Sequence, residues 1–255
     1  MGFIVTILAG GEGKRMRSTT PKVLHLFNYK PILTRVLDAA ISLTPDKIIV
    51  VTGKYHNQIV KVLDKYMDTC GITFVEQAVA LGTGNAIQCC LDHYTDDDDV
   101  LILNGDMPLV NESVIHSLVE CQRSLKPCGT LVTATLENPE GYGRIVKSGE
   151  LFEIVEEASC SPREKDIKEV NAGIYLFHAD ILRKCVPVLS NENSKGEYYF
   201  TDVIRHAFDL NYKVNTFTIP KNLNYTIRGV NTPEELLDLE TLFHTVCFTE
   251  PSVTP

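Results

Sequence analysis

Near its start the chain runs Phe3-Ile4-Val5-Thr6-Ile7-Leu8-Ala9 straight into Gly10-Gly11-Glu12-Gly13-Lys14-Arg15-Met16, with Pro21-Lys22-Val23-Leu24-His25 close behind. A β-branched apolar run that empties into a glycine-rich loop bearing Lys14, Arg15 and Lys22 reads as a buried strand followed by an anion-binding turn. Glycines let backbone amides approach a phosphate, and Arg15 and Lys22 add the charge that glycine lacks. Two familiar phosphate motifs are excluded. A P-loop fails because Arg15 follows Gly13-Lys14 and Leu8 stands where its first glycine belongs, and a dinucleotide fingerprint fails because Met16 takes the place of its third glycine.

The rest of the first half alternates strand and helix patterns. Helical spacing over Pro31 to Leu43 is followed by a strand at Lys47 to Thr52, a helix at Ile59 to Met67, a strand at Ile72 to Val75 and a helix at Asn85 to His93. A fourth strand, Val100-Leu101-Ile102-Leu103, ends in Asn104-Gly105-Asp106. This alternation predicts an α/β fold with a mostly parallel sheet and right-handed crossovers, whose ligands bind beyond the carboxyl ends of the strands. The glycine loop and Asn104-Gly105-Asp106 therefore face one crevice.

After a helix at Glu112 to Ser124 the pattern turns β-rich, with strands at Thr130 to Leu136, Gly143 to Lys147, Leu151 to Val155 and Glu169 to Phe177. Ser148-Gly149-Glu150 reads as a hairpin turn. Helices follow at Ala179 to Cys185, Tyr199 to Asn211 and Pro233 to His244, with a strand at Val214 to Ile219. Thr232-Pro233-Glu234-Glu235 places a cap, a first-turn proline and two acids at a helix start. Neither a repeat nor a linker interrupts the chain, so one continuous domain over 1–255 is expected.

Composition excludes several classes. A net charge of −9 argues against a general nucleic-acid surface, and no apolar run approaches the roughly 20 residues that cross a bilayer. The N-terminus lacks the basic segment of a secretion signal, and the eight cysteines (70, 89, 90, 121, 128, 160, 185 and 247) show no CxxC spacing. Reduced thiols and a cytoplasmic location are the expectation. Cys89-Cys90 is expected to point to two faces of a helix, and the acidic run Asp96 to Asp99 to solvate a loop without forming a site.

The first loop, read in full, resembles the signature of sugar-nucleotide pyrophosphorylases, and more closely that of the uridylyltransferase domain of bacterial bifunctional N-acetylglucosamine-1-phosphate uridylyltransferases. Later segments match in the same order: Gln77 with Leu81-Gly82-Thr83-Gly84, Gly105-Asp106-Met107-Pro108-Leu109, Gly141-Tyr142-Gly143-Arg144-Ile145, Ile154-Val155-Glu156, Val170-Asn171-Ala172-Gly173-Ile174, Gly196-Glu197-Tyr198-Tyr199-Phe200-Thr201-Asp202 and Gly229-Val230-Asn231. The resemblance spans about residues 3 to 245. It implies a Rossmann-like α/β/α fold with a nucleotide-binding half over about 1–110, a β-rich sugar-binding half over about 111–245 and a tail at 246–255. The bifunctional relatives continue into a β-helix acetyltransferase domain, which is expected to be missing from a chain that stops at Pro255.

The activity so implied is transfer of a uridylyl group from UTP to N-acetylglucosamine 1-phosphate. By resemblance Leu8, Ala9, Gly10 and Gly11, with Gln77, Gly82 and Thr83, hold the uridine. Arg15, Lys22 and Asp106 carry the catalysis, and Asp106 and Asn231 hold Mg²⁺, whose preferred oxygen shell a carboxylate, an amide and phosphates would complete. In the same way Gly143, Glu156 and Asn171 would bind the sugar, Glu197, Tyr199 and Thr201 would finish its pocket, and Asn104 and Gly105 would bind substrate as well.

Four positions depart from the pattern. Lys14 replaces a threonine, Gly10 an alanine, Asn104 a tyrosine and Ala158 a lysine. Lys14 either adds a phosphate contact or points to solvent. The competing readings are a pyrophosphorylase for glucose 1-phosphate or dTTP and a non-catalytic sugar-nucleotide-binding subunit. Oligomeric state stays open, a homo-oligomer included.

Overall fold

The first strand is apolar on both faces, and that makes it a central one. The computed structural model describes residues 2–249. Its elements are β1 (Phe3–Leu8), a short hairpin of β2 (Leu26–Phe27) and β3 (Lys30–Pro31), α1 (Ile32–Ser42), β4 (Lys47–Thr52), α2 (His56–Leu63), β5 (Ile72–Glu76), α3 (Thr83–Gln88), β6 (Asp99–Asn104), α4 (Glu112–Leu125), β7 (Gly129–Thr135), β8 (Arg144–Ser148), β9 (Leu151–Val155), α5 (Pro162–Lys165), β10 (Glu169–His178), α6 (Ala179–Cys185), α7 (Val203–Asp209), β11 (Val214–Thr218) and α8 (Pro233–Thr249).

The main sheet has the order β11-β7-β10-β6-β1-β4-β5, with β8 pairing to β10 and β9 to β8. β1 is parallel to β4 and β6, and β4 to β5. β10 alone runs antiparallel to both its neighbours on this path, β6 and β7. Chain order moves outward from β1 to β4 and β5, then crosses back to β6 on the other side. A switch in direction between β1 and β6 opens a crevice beyond their carboxyl ends, and β10, being antiparallel, brings its amino end to that same edge.

Alternation along the strands sends Val5 and Ile7 to one face, among Leu37 of α1, Ile59 of α2 and Leu118 of α4. Ile4 and Ile102 go to the other, among Ile87 of α3, Leu182 of α6 and Ile204 of α7. Each such side chain contributes roughly 1.5–3 kcal/mol on burial. A third cluster gathers Met16, Phe27, Ile32, Val230 and Leu239, tying the glycine loop to α8. The layers are helix, sheet, helix, as expected.

Several local readings are corrected. α2 starts at His56, three residues early, where the Thr52 hydroxyl meets His56 Nδ1 at 2.8 Å, and it ends at Leu63 in turns. α3 stops at Gln88, so Cys89 and Cys90 follow the helix, with only Cys90 buried. The acidic run is only half solvated: Asp98 is buried and accepts from the Gly2 and Thr95 amides, and Asp99 starts β6 and pairs with His178 at 2.6 Å. α8 runs on to Thr249, past the expected end at His244 and into the expected tail. The described cysteines are free thiols; the Cys247 side chain and residues 250–255 lie outside the described residues. Among the described residues no helix is long and apolar enough to cross a membrane.

Candidate active site

Residue Leu8 at the end of β1 pairs in register with Asn104 at the end of β6, and the Gly105 amide donates to the Leu8 carbonyl at 2.9 Å. The glycine loop and the Asp106 turn thus leave the sheet side by side. Within the loop Gly13 has φ +61°, and a Cβ there would lie 2.8 Å from the Lys22 Cβ. Only glycine lets the loop fold over Lys22 so closely. Lys14 points to solvent: its side chain is 85% exposed and its ammonium lies 3.1 Å from Glu12, which also takes Lys54 at 2.6 Å.

Lys22 reaches inward. Its Nζ donates to Asp106 Oδ2 and, at 3.1 Å, to Asn231 Oδ1, with both charged groups largely buried. Asp106 is fixed from behind by the Val230 amide, which donates to its carbonyl at 2.9 Å, and by Gly229, whose missing side chain leaves room for the carboxylate. The Asn231 amide donates to Glu235 Oε2 at 2.6 Å, and Thr232 Oγ1 accepts from the Glu235 amide at 3.1 Å. The helix cap read from Thr232 to Glu235 therefore also orients Asn231. One cationic point shared by a carboxylate and an amide oxygen is a donor set that suits a hard divalent cation. Among the described residues no group of three or more His, Cys, Asp or Glu converges, so any such cation would draw its other oxygens from bound phosphates and water.

Above this pair opens a cleft of about 660 Å³. Of the expected residues, Leu8, Arg15, Thr83, Asn104, Asp106, Gly143, Glu156, Asn171, Thr201 and Asn231 line it. Ala9, Gly10, Gly11, Lys22, Gln77, Gly82, Gly105, Glu197 and Tyr199 do not border that volume. Gln77 is buried and spends both amide hydrogens, on the Gly82 carbonyl at 3.0 Å and Asn85 Oδ1 at 2.9 Å. Its Oε1 remains, close enough to Gly10 that a Cβ there would sit 3.2 Å away. Gly10 in place of alanine thus keeps this oxygen uncovered.

Beside the cleft β10 bulges: Asn171 faces Thr133, yet Tyr175 faces Leu131, four residues against two. Asn171 Oδ1 accepts from the Gly173 amide at 3.1 Å and its Nδ2 donates to the Tyr175 hydroxyl at 2.7 Å. The bulge turns Asn171 into the cleft. Thr201 donates to Glu156 Oε1 at 3.0 Å. Burial raises the Glu156 carboxyl above the usual glutamate range, with the Thr201 bond opposing it. The Tyr199 hydroxyl is buried without a partner, and after burial the nearby charges of Glu197 and Glu156 do most to raise its phenol.

The sequence reading missed part of the wall. Asn138, Glu140, Tyr142, Arg228 and Glu235 also line the cleft. Arg144, fully buried, pairs with Glu157 at 2.7 Å and donates to the Tyr142 carbonyl, while Glu157 accepts from the Gly141 amide at 3.3 Å; together they hold this loop. The signal for Arg228 was present, since it directly precedes Gly229-Val230-Asn231.

A doubly wound sheet with a glycine loop and a cation-bridged carboxylate at its switch point defines a nucleotide-binding α/β protein of the nucleotidyltransferase class. The chain belongs to the family of MobA-like NTP transferase domains, whose profile matches residues 5–172. It is 37% identical over 242 residues to a protein of Acanthamoeba polyphaga mimivirus named a probable UDP-N-acetylglucosamine pyrophosphorylase, covering 93% of this chain and 95% of that one. It is 39% identical over 248 residues to the bifunctional protein GlmU of Legionella pneumophila, covering 95% of this chain and 52% of that protein. The chain spans about half the length of such bifunctional relatives. In fold it resembles a UDP-glucose pyrophosphorylase solved with UDP-glucose, at a TM-score of 0.73 and 16% identity over 96% of this chain and 100% of that one.

Proposed function

We propose that the protein transfers a uridylyl group from UTP to N-acetylglucosamine 1-phosphate, yielding UDP-N-acetylglucosamine and pyrophosphate. The observation that carries this reading is the convergence of Lys22, Asp106 and Asn231, from three distant segments, on one point at the floor of the cleft. The mimivirus relative, matched over nearly its whole length, supports the choice of sugar.

The acceptor already carries its nucleophile, a phosphate oxygen, so the chain need supply neither a base nor a covalent intermediate. Its work is positioning and charge. The glycine loop and the segment from Gln77 to Thr83 flank the nucleotide. Gln77 Oε1, with its amide hydrogens spent, accepts from the N3–H of uracil and opposes the N3 lone pair of cytosine. Gly143, Glu156 and Asn171 hold the sugar, with Thr201 fixing the Glu156 carboxylate.

Attack on the α-phosphorus forms one P–O bond as the bond to the departing pyrophosphate breaks. Arg15 meets charge on the leaving group and Lys22 charge at the α-phosphate. Asp106 and Asn231 would hold Mg²⁺, which when bound neutralises phosphate oxygens. The division into a nucleotide half over about 1–110 and a sugar half over about 111–245 belongs to the same proposal, as does action inside the cell on small-molecule substrates.

The test is Mg²⁺-dependent pyrophosphate release with UTP or dTTP and with N-acetylglucosamine 1-phosphate or glucose 1-phosphate. UTP with the N-acetylated sugar is expected to give the highest kcat/KM, and Lys22→Ala to lose about 10²–10³ in rate. Preference for dTTP or glucose 1-phosphate would overturn the substrate assignment, and near wild-type turnover by Lys22→Ala would overturn the role of Lys22.

A further inference from the structure

We propose that Arg228 binds the phosphate of the incoming sugar 1-phosphate and so sets the affinity for that substrate, an inference that rests on the uridylyl-transfer reading. Two polyanions must meet in this cleft. In the proposed reaction Lys22, paired with Asp106 and Asn231 in the unliganded chain, serves the α-phosphate of the nucleotide, and Lys14 pairs with Glu12 toward solvent. Arg15 and Arg228 are the lysine or arginine side chains lining the cleft, and among the described residues neither makes an ion pair or hydrogen bond through its guanidinium. A guanidinium at a wet cleft with no carboxylate partner is matched in charge and shape to a phosphate.

The backbone fixes where Arg228 sits. It ends the 3-10 segment Lys221–Ile227 in an extended conformation, φ −71° and ψ 118°. On one side Ile227 is buried in the large core on the Val5 and Ile7 face of the sheet, and on the other Val230 joins the small core of Met16 and Leu239. Gly229 between them packs on the Asp106 carboxylate. Arg228 is therefore tethered two residues from the amide that fixes Asp106 and three from Asn231.

Its neighbourhood separates its task from that of Arg15. Arg15 stands on the glycine loop, where the nucleotide's phosphates lie in the proposed reaction. Among the charges acting on the Tyr142 phenol, which burial raises, Arg228 is the strongest and opposes the shift, with Asp106 and Glu235 adding to it. Tyr142 belongs to the loop that carries Gly143, on the sugar side. An anion held between Asp106 and this loop is the phosphate of the sugar substrate, poised toward the α-phosphorus.

The experiment is steady-state kinetics on the wild type, Arg228→Ala and Arg228→Lys, with each substrate varied in turn. Arg228→Ala is expected to raise the KM for N-acetylglucosamine 1-phosphate about ten-fold or more while the KM for UTP stays within about two-fold, and Arg228→Lys to recover part of the loss. A matching rise in the KM for UTP, or an unchanged KM for the sugar phosphate, overturns the inference.

A second measurement does not depend on how much of the variant folds. The ratio of affinities for N-acetylglucosamine 1-phosphate and neutral N-acetylglucosamine should fall about ten-fold in Arg228→Ala, and an unchanged ratio overturns the inference as well. Absence of wild-type turnover would instead overturn the proposed reaction.

Discussion

A carboxylate proposed to grip sugar hydroxyls is held at a cost in the free protein. Glu156 is partly buried beside Glu197 and Asp202, and its carboxyl is raised chiefly by burial, with Thr201 and Lys195 countering. A raised glutamate binds its proton more tightly in the folded chain than in the unfolded one. Its stabilising contribution is therefore full below the ordinary value of 4.5 and is lost as pH climbs through the folded value. At neutral pH the ionised side chain opposes folding of the free protein. Glu156→Gln keeps an oxygen for the Thr201 hydroxyl and drops the charge. Its thermal midpoint is expected to exceed the wild type's at pH 7 without ligand, the two converging toward pH 4, while the KM for the sugar phosphate rises. A midpoint at or below the wild type's at pH 7 would show that Glu156 is not strained by its surroundings.

At the level of elements, the amino end of α3 joins the two walls proposed for nucleotide and sugar, through residues 81–84 and 198–200. The Gly84 amide donates to the Tyr198 carbonyl at 2.8 Å, the Tyr198 amide to the Leu81 carbonyl at 2.7 Å, and the Phe200 amide to Thr83 Oγ1 at 3.0 Å. Gly82 makes this docking possible: its φ is +103°, and a Cβ there would lie 2.6 Å from the Tyr198 oxygen. Gly82→Ala meets both a backbone clash and a disfavoured conformation, so a loss of about 1–3 kcal/mol is expected in urea unfolding, with KM raised for both substrates. A variant of wild-type stability with only one KM altered would mean the two walls are independent.

The central strands, both helix layers and the crevice at the ends of β1 and β6 were legible because long apolar periods and a glycine turn encode them locally. The β2–β3 hairpin and α5 were not, being two to four residues long and shorter than one period. Nor was the antiparallel insertion of β10 beside β6, since a buried strand has the same pattern in either direction. That insertion delivers Asn171 to the cleft beyond the ends of β1 and β6. The wall from Asn138 to Tyr142 was missed because the pairing of Arg144 with Glu157 holds it, and Arg228, although it adjoins Gly229-Val230-Asn231, because its place in the cleft depends on Gly229 packing on Asp106.

For the whole molecule, a net charge of −9 makes the approach of a polyanion unfavourable everywhere except where cations gather. Among the lysines and arginines bordering or flooring the cleft, Arg15, Arg228 and Lys22 come from segments anchored in one small core around Met16 and Val230 or paired to its neighbours. That core also contains Phe27, Ile32 and Leu239, so the hairpin, α1 and α8 share the load of holding the cationic end of the cleft. A ligand that binds only the folded state at a hundred times its dissociation constant adds about 2.7 kcal/mol, and each kcal/mol moves a domain of this size by about 2–4 °C. UTP with MgCl₂ at that excess should therefore raise the thermal midpoint by roughly 5–10 °C. If Asp106 and Asn231 hold the cation, replacing MgCl₂ with a chelator should remove most of the gain, and CTP should give less than UTP because Gln77 presents only an acceptor. Equal shifts with UTP and CTP would remove Gln77 from pyrimidine selection, and an equal shift in the chelator would separate nucleotide binding from Asp106 and Asn231, leaving the arginines to hold the triphosphate on their own.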